Sequence, residues 1–227
     1  MIENIISIII PVLNEAEIIR STLQKLQHSS TLEIILVDGG SKDNTVNIAQ
    51  ELGFKVVTVT GGRSAQMNAG ANIAQGNILL FLHVDTQLPR NFNFLVKQTL
   101  NQPQVIAGAF ELAIDGREKS LRLVEILVRL RSHLFSLPYG DQAIFTTKQA
   151  FVEIGGFANL PIMEDFELIQ RLKRRGKIAI APAAVTTSGR RWQKLGVGKT
   201  TLINQLIIVG YYLGVSPAKL SKFYRGK

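Results

Sequence analysis

The sequence contains no cysteine among its 227 residues, which excludes disulfide scaffolds and thiolate metal sites. It also contains no apolar stretch long enough to span a bilayer. The opening residues, Met1–Val12, lack the basic region and cleavage site of a signal peptide, and they are predicted to form a first strand. These absences favour a reducing compartment, and we expect a cytoplasmic location.

Charge is unevenly distributed along the chain, whose net charge is +9. Residues 1–110 contain 7 Lys and Arg against 8 Asp and Glu, whereas residues 111–227 contain 19 against 9. A basic half favours anionic partners such as phosphates or lipid headgroups, although a solvated basic face would give the same composition. No nucleic-acid partner is expected, because the basic residues are not interleaved with aromatic residues and no recognition motif is present.

Near-continuous apolar runs alternate with helix-period segments through the first half. This alternation predicts an α/β fold with a mostly parallel, Rossmann-like sheet flanked by helices. The predicted strands are Ile5–Val12, Glu33–Asp38, Lys55–Thr60 and Asn77–Val84, and the predicted helices are Ala16–Gln27, Asn44–Leu52 and Ala65–Ala74. Asp43 and Ser64 are predicted N-caps, and Gly53 and Gly76 are predicted helix ends.

The second half is less regular but contains no linker, repeat or low-complexity segment, so we expect a single domain over residues 1–227. Its predicted strands are Val105–Ile114, Gln142–Thr146 and Lys177–Val185, and its predicted helices are Leu121–Leu134, Glu164–Arg175 and Leu202–Leu213. The last helix is apolar and leads into a basic tail, and the two together occupy about residues 200–227.

Polar or glycine-rich clusters follow four predicted strands, and they are Asn14–Glu15, Asp38–Ser41, Gly61–Arg63 and His83–Asp85. Ligands of open α/β sheets bind beyond the carboxyl ends of strands, so we expect these clusters along one edge. An acid such as Asp38 can accept hydrogen bonds from a base or ribose, and Arg63 at a helix start suits a phosphate. Taken singly, each cluster is also explained by a turn or a surface arginine.

His83 and Asp85 end the fourth predicted strand, where alternation would put them on the same side of the backbone. A carboxylate at such an edge is a good ligand for Mg²⁺ or Mn²⁺ that bridges to diphosphate oxygens. A helix-capping role for Asp85 before Pro89 is the alternative.

Glu164 and Asp165 open a predicted helix. Adjacent helical residues point in different directions, so the two acids are expected to have separate roles. The helix macrodipole also favours acids in a first turn, so a structural role stays open.

The segment Gly196–Thr200 resembles a phosphate-binding P-loop, but Gln193 stands where that pattern requires glycine. The segment also follows Arg190–Trp192 rather than a predicted strand. An ATPase is therefore not expected.

In their order and spacing these clusters resemble the family 2 glycosyltransferases with the GT-A fold, over about residues 5–195. Ser7–Glu15 and Val37–Thr45 are similar to the family's two nucleotide-binding turns. His83-Val84-Asp85 stands at the place of its Asp-x-Asp metal motif. The acceptor-side and Arg-Trp motifs are matched by Gly155–Phe157 with Glu164-Asp165, and by Arg190–Trp192.

The resemblance implies an inverting transfer of a sugar from a nucleoside diphosphate to an acceptor hydroxyl, with Mn²⁺ or Mg²⁺ at Asp85 and Asp165 as general base. It implies nucleotide-sugar contacts from Pro11, Asn14, Glu15, Asp38, Gly39, Arg63, Gln66, Asn68, His83 and Asp85. It implies acceptor or diphosphate contacts from Asp141, Gln142, Glu164, Arg190, Arg191 and Trp192.

More narrowly, Gly62–Gly70 and Leu82–Thr86 resemble a small bacterial subgroup of that family. His83 replaces the first acid of the metal motif and lowers the negative charge of the site by one. A weaker metal site, a preference for Mn²⁺ and a metal-independent site all stay open, as does ligation by His83. Asp85 is the expected metal ligand.

Two other classes stay open. A nucleotidyltransferase would need a second acidic metal ligand and a glycine-rich, basic N-terminal signature in place of Pro11–Glu15. A transferase hydrolyses its donor slowly, whereas a non-catalytic nucleotide-sugar binding protein does not hydrolyse it. The sequence leaves open the donor base and sugar, the acceptor and the oligomeric state.

The apolar helix Leu202–Leu213 is too short to span a bilayer and precedes four basic residues, Lys219, Lys222, Arg225 and Lys227. An apolar helix beside a basic tail indicates peripheral contact with an anionic membrane face, near a lipid-linked acceptor. Packing on the core or in a dimer interface is the alternative.

Overall fold

The structure, a computed structural model, describes residues 5–26, 31–224 and 226. Gln27, predicted to end the first helix, and the tail residues Arg225 and Lys227 lie outside this range. The strands are β1 (Ile6–Val12), β2 (Leu32–Asp38), β3 (Val56–Thr58), β4 (Ile78–Phe81), β5 (Thr86–Gln87), β6 (Val105–Asp115), β7 (Phe145–Thr147) and β8 (Lys177–Ser188). The helices are α1 (Ala16–Lys25), α2 (Thr45–Glu51), α3 (Arg63–Ile73), α4 (Phe92–Leu100), α5 (Lys119–Phe135), α6 (Lys148–Glu153), α7 (Glu164–Lys173), α8 (Arg190–Leu195), α9 (Val197–Tyr212) and α10 (Pro217–Tyr224).

Within the described residues, eight strands form one sheet in the order β3-β2-β1-β4-β7-β6-β8-β5. Strands β1 to β4 pair in parallel, as do β6 and β8. Strand β7 is antiparallel to both β4 and β6, and β5 is antiparallel to β8. The predicted α/β architecture with a mostly parallel sheet is confirmed.

Both faces of the sheet are covered by helices, which explains why β1 is apolar at nearly every position. Ile8 and Ile10 belong to a buried cluster that includes Ile19 and other residues of α1. Ile9, between them, belongs to a second cluster that includes Met67 of α3. The predicted site residues follow the carboxyl ends of β1, β2 and β4, between these two layers.

Two of the predicted strand boundaries that differ from the structure concern site residues. Strand β4 ends at Phe81, so His83 and Asp85 lie in a turn that the Thr86 N–H closes on the His83 carbonyl at 3.0 Å. The argument from strand alternation therefore does not apply to them. Gln142 lies in a 3₁₀ turn, Gly140–Gln142, and the following strand begins only at Phe145.

Both predicted N-caps also need correction. Gly62 is the N-cap of α3, and Ser64 lies inside that helix, where its hydroxyl donates to the Leu160 carbonyl at 3.4 Å. Asn44 is the N-cap of α2. The Asp43 carboxylate accepts from the first backbone N–H of α1 (3.1 Å) and of α2 (3.0 Å), so it joins the starts of the two helices.

The C-terminal segment forms a helical hairpin, because the predicted basic tail contains α10. Helices α9 and α10 contact each other and pack near the start of α7 through Met163, Phe166, Ile207 and Leu220. In the part of the chain that the structure describes, no helix has the length and apolar character needed to cross a membrane.

Gly70 allows α3 to pack closely on β1 and β2. A Cβ atom at this position would lie 2.5 Å from Cγ2 of Ile9 and 3.1 Å from Cγ2 of Val37. We expect Gly70→Ala to lower the free energy of unfolding by about 1–3 kcal/mol, as overpacked cores do, in urea denaturation. Gly198→Ala in α9 is the control, since nothing lies within 4 Å of its Cβ. Equal loss in both variants would contradict the packing argument.

Candidate active site

Hydrogen bonds join the loops that follow β1 and β2. Asn14 has a positive φ of 54°, which asparagine tolerates, and its Oδ1 accepts from the Lys42 N–H at 2.8 Å. The Asn14 N–H donates to Ser41 Oγ at 2.9 Å, and the Glu15 N–H donates to Thr45 Oγ1 at 2.8 Å. The two predicted nucleotide-binding turns therefore form one surface.

Asp38 and Gln66 support these loops from beneath. Asp38 is 2% exposed, and its carboxylate accepts from backbone N–H groups of its own loop, including that of Gly40 at 2.9 Å. The Gln66 Nε2 donates to the carbonyl oxygens of Val12 (2.9 Å) and Val37 (2.7 Å). Both amide hydrogens of Gln66 are used, so its Nε2 supports the backbone instead of contacting a ligand.

Two further amides, Asn68 and Gln142, were expected at the ligand but are occupied by protein groups. Asn68 bonds to both the N–H and the carbonyl of Phe157, each at 2.8 Å. Gln142 is fully buried, donates to the Phe110 carbonyl at 2.8 Å and accepts from Arg131 at 2.8 Å. Buried amides are usually satisfied in this way, and these two fix loop positions.

The His83 side chain lies partly buried in the turn after β4. Burial lowers its pKa to about 3, and the positive charge of Arg63 adds to this shift. The ring is therefore neutral near pH 7, with one nitrogen able to donate and the other able to accept a hydrogen bond.

Arg190 links two carboxylates at the mouth of the site. Its Nη2 lies 3.7 Å from Asp85 Oδ2 and 3.7 Å from Glu15 Oε2. Burial raises the pKa of Glu15, the positive charge of Arg190 opposes this, and the charge of Asp85 adds to it. The structure thus brings Arg190 from the start of α8 to the turns after β1 and β4.

Asp165 and His83 meet at Gly140. The Gly140 N–H donates to Asp165 Oδ2 at 2.5 Å. A Cβ atom on Gly140 would lie 3.0 Å from Asp165 Oδ2 and 3.0 Å from His83 Nε2. A larger residue would crowd both side chains, so glycine favours this close approach of the start of α7 to the turn that carries Asp85.

Glu164 points elsewhere, as expected for adjacent helical residues. It is buried, and its Oε1 lies 3.5 Å from Arg63 Nη1. Burial and the neighbouring Asp165 raise the pKa of Glu164, and Arg63 opposes the shift. Glu164 therefore links the start of α7 to the start of α3.

Asp141 carries an open hydrogen-bonding position next to these charges. Burial raises its pKa to about 6; Arg131 opposes the shift, and Asp165 and Asp85 add to it. Its Oδ1 is buried and has no hydrogen-bond partner among the described residues. Such an atom fits a site that receives a polar ligand group.

Tyr224, in α10, is a site residue that the sequence reasoning missed. The Arg191 guanidinium carbon lies 3.7 Å from the centroid of its ring. Burial raises the Tyr224 pKa, the charges of Arg191 and Arg63 oppose the shift, and those of Asp141 and Asp165 add to it. The i, i+4 spacing of Tyr224 from the buried Leu220 was the available signal.

Arg191 and Trp192, both on α8, provide two more open donors. Over the range that the structure describes, Arg191 Nε and Trp192 Nε1 are buried without hydrogen-bond partners. The Trp192 ring also packs against the larger hydrophobic cluster, so part of its role is structural.

Asp85 could hold a divalent ion whose remaining ligands would come from a bound diphosphate and water. No group of three His, Asp or Glu side chains suited to a metal ion exists in the described part of the chain. Mg²⁺ and Mn²⁺ sites in phosphate-handling enzymes commonly use one or two carboxylates and complete their shell with phosphates and water. The Asp85 side chain is 32% exposed and therefore accessible for this role.

The mixed, mostly parallel sheet flanked by helices defines a GT-A-type α/β protein. The chain belongs to the family described as Glycosyl transferase family 2, whose profile matches residues 7–158. It is 30% identical over 191 residues to an uncharacterized glycosyltransferase of Rickettsia felis. That alignment covers 75% of this chain and 31% of the relative, so the chain spans about a third of that protein's length.

Solved structures confirm the GT-A-type fold. A mannosyltransferase, PcManGT from Pyrobaculum calidifontis in complex with GDP-Man and Mn²⁺, matches with a TM-score of 0.65 at 18% identity, covering 80% of this chain and 56% of that one. S. aureus TarS 1-349 in complex with UDP-GlcNAc matches with a TM-score of 0.64 at 18% identity, covering 81% and 58%.

The raised pKa of Asp141 predicts a pH-dependent contribution to stability. Between about pH 4 and 6 the folded protein keeps this proton while the unfolded chain releases it, so ionisation destabilises the fold as pH rises. Relative to Asp141→Asn, which cannot ionise, we expect the wild type to lose about 1–3 kcal/mol across this window.

Urea denaturation at a series of pH values measures this difference. Asp115→Asn, at the exposed end of β6, is the matched control and should run parallel to the wild type. A constant difference between wild type and Asp141→Asn from pH 4 to 6.5 would show that the carboxyl is not perturbed.

Proposed function

We propose that the chain is an inverting glycosyltransferase that moves a sugar from a nucleoside diphosphate to an acceptor hydroxyl. The observation that carries the proposal is the meeting of Asp165 and His83 at Gly140, beside the turn that contains Asp85. Family membership and the nucleotide-sugar complexes of related structures support a donor of this class.

The donor's nucleoside binds on the joined loops of Asn14 and Asp38, with Pro11 and Gly39 at their base. The loops are held by internal hydrogen bonds and are therefore ordered before the ligand arrives, which reduces the entropic cost of binding. The bridging position of Arg190 suits a role in binding the diphosphate.

Asp85 is the residue that would hold Mn²⁺ or Mg²⁺ together with diphosphate oxygens. When bound, such an ion stabilises the negative charge that develops on the leaving diphosphate. His83, unlike an acid at this position, adds no second negative charge, and its neutral ring can donate or accept a hydrogen bond with the sugar or phosphate. The open Oδ1 of Asp141 suits a sugar hydroxyl.

Asp165 acts as the general base. The acceptor oxygen attacks the anomeric carbon, the bond from that carbon to the diphosphate oxygen breaks, and its electron pair leaves with the diphosphate. The acceptor proton passes to the Asp165 carboxylate, which the Gly140 N–H orients. Attack from the face opposite the leaving group inverts the anomeric configuration in one step.

The acceptor is lipid-linked, and transfer takes place at the cytoplasmic face of a membrane. The apolar hairpin of α9 and α10 supports this, because its end brings Tyr224 against Arg191 of α8, near Asp141 and Asp165. Aromatic rings and planar guanidinium groups are suited to sugars and phosphates, respectively.

We expect Asp165→Asn to keep its donor affinity but to lose at least about a hundredfold in transfer rate, because the amide cannot take the proton. Glu164→Gln should lose less, since Glu164 faces Arg63. The measurements are transfer rate with a working acceptor and, without one, slow donor hydrolysis, together with the donor Kd. An inactive Glu164→Gln beside an active Asp165→Asn would reverse the roles. Donor binding without hydrolysis in the wild type would instead indicate a binding protein.

We expect Asp85→Asn to abolish the increase in nucleotide affinity that Mn²⁺ produces, while affinity without metal changes by less than about threefold. Calorimetry of UDP and GDP with and without Mn²⁺ measures both quantities. Glu17→Gln, an exposed acid in the first turn of α1, is the control for lost negative charge. An Mn²⁺ effect that survives in Asp85→Asn would refute the metal assignment.

A further inference from the structure

Helix α5 is apolar on two opposite faces. Its inner face packs on the sheet through Leu121 and Val128. Its outer face carries a row of leucines at positions spaced i, i+4, i+7 and i+11, which are Leu123, Leu127, Leu130 and Leu134. Such spacing aligns side chains along one side of a helix, so the outer row is a continuous apolar strip.

Helix α9 repeats the same pattern. Thr200 and Ile207 face inward, whereas Leu202, Leu206, Val209 and the C-cap residue Leu213 are exposed at the same spacing. The eight outer residues of the two helices are each between 47% and 77% exposed. Because α5 and α9 contact each other, the two rows lie on neighbouring helices, and together we name them the two-helix apolar face.

An apolar surface of this extent is unusual in a monomer that stays in water. Isolated exposed leucines are ordinary, but eight large aliphatic side chains in two aligned rows indicate a surface that is covered by something. Each helix packs on the protein through its inward apolar side, and the outer rows remain exposed.

The charge around this face identifies the covering partner. No acidic residue follows Glu167, while the last 60 residues contain 13 Lys and Arg. On α5, Glu125 is turned inward, with its Oε1 accepting from the Ile114 N–H, whereas Arg129 is exposed. Arg129 is paired with Glu111, and Asp115 and Glu118 are exposed near the start of α5. The basic excess therefore lies on the α9 side, where α10 contacts α9 and carries the exposed Lys219 and Lys222.

A second copy of this chain is a poor occupant, because a symmetric interface would bring the same basic residues together. An anionic lipid surface matches both features, since its acyl boundary accepts the leucines and its phosphates attract the lysines and arginines. None of the helices in the described residues can cross a bilayer, so the contact would lie on the surface.

We propose that the two-helix apolar face docks the protein on an anionic lipid leaflet, with α5 and α9 lying at the headgroup boundary. The proposal extends the predicted contact from the C-terminal segment to α5. It rests on the proposed function only for its purpose, which is to hold the Tyr224 side of the cleft near a lipid-linked acceptor.

Vesicle flotation with the full chain tests the docking face. We expect recovery with vesicles that contain phosphatidylglycerol and little recovery with phosphatidylcholine alone. Leu130→Gln/Leu206→Gln, with one change on each helix, should lower the partition coefficient at least about tenfold. Ile73→Gln/Val152→Gln is the matched control, because these two residues are comparably exposed on α3 and α6 and should leave binding unchanged.

Charge variants separate the two contributions. Lys219→Gln/Lys222→Gln should reduce binding to anionic vesicles about fivefold or more and should weaken its salt dependence. Circular dichroism melting verifies that each variant is folded. Asp165→Asn should float like the wild type, so a failure of the proposed catalysis is distinguishable from a failure of docking.

Three results would overturn the proposal. Equal recovery with neutral and anionic vesicles, or none with either, excludes an anionic leaflet. Loss of binding in the control variant equal to that in Leu130→Gln/Leu206→Gln removes the assignment to this face. A concentration-dependent dimer in sedimentation that the Leu130→Gln/Leu206→Gln variant abolishes, without lipid binding, identifies a second copy as the occupant.

Discussion

The carbonyl oxygens of Val12 and Val37, at the ends of β1 and β2, receive hydrogen bonds from a single side chain, Gln66. The Val12 carbonyl also accepts from the Gly39 N–H at 2.8 Å, so Gln66 adds a side-chain link to the backbone hydrogen bonds that already join the ends of these strands. Because Gln66 comes from α3, it ties the loops that follow β1 and β2 to the helix that begins with Arg63. The close packing of α3 at Gly70 keeps that amide in reach.

Charges of both signs alternate across the candidate site. Arg190 stands between Glu15 and Asp85, and Arg63 stands beside Glu164, so much of the acidic charge is already partly balanced by protein cations. Asp165 instead accepts a hydrogen bond from the Gly140 backbone N–H. This bond orients the carboxylate without placing a positive charge next to it. This difference in partners supports the proposed role of Asp165 as the general base.

Sequence reasoning succeeded where a residue's role follows from its neighbours in the chain. The alternation of apolar runs predicted the sheet, and the spacing at Glu164-Asp165 predicted a helix start with diverging acids. Sequence reasoning failed where a residue's position depends on contacts with residues far away in the chain. The prediction for His83 and Asp85 assumed that β4 continues to Val84, but the chain turns after Phe81. Gln66, Asn68 and Gln142 looked like ligand residues because polar side chains near glycines have the same appearance whether they bind a ligand or a distant carbonyl.

The sequence by itself determined the α/β class, the family resemblance and the excess of basic charge after Glu167, because these depend on order and composition along the chain. Only the tertiary structure decided that Asp165 meets His83 at Gly140, that Arg190 reaches Asp85, and that Tyr224 lies under Arg191. It also decided which side of α5 and α9 is left exposed. The physical reason is that helical spacing defines the two sides of an element, whereas packing against residues far away in the chain decides which side is covered.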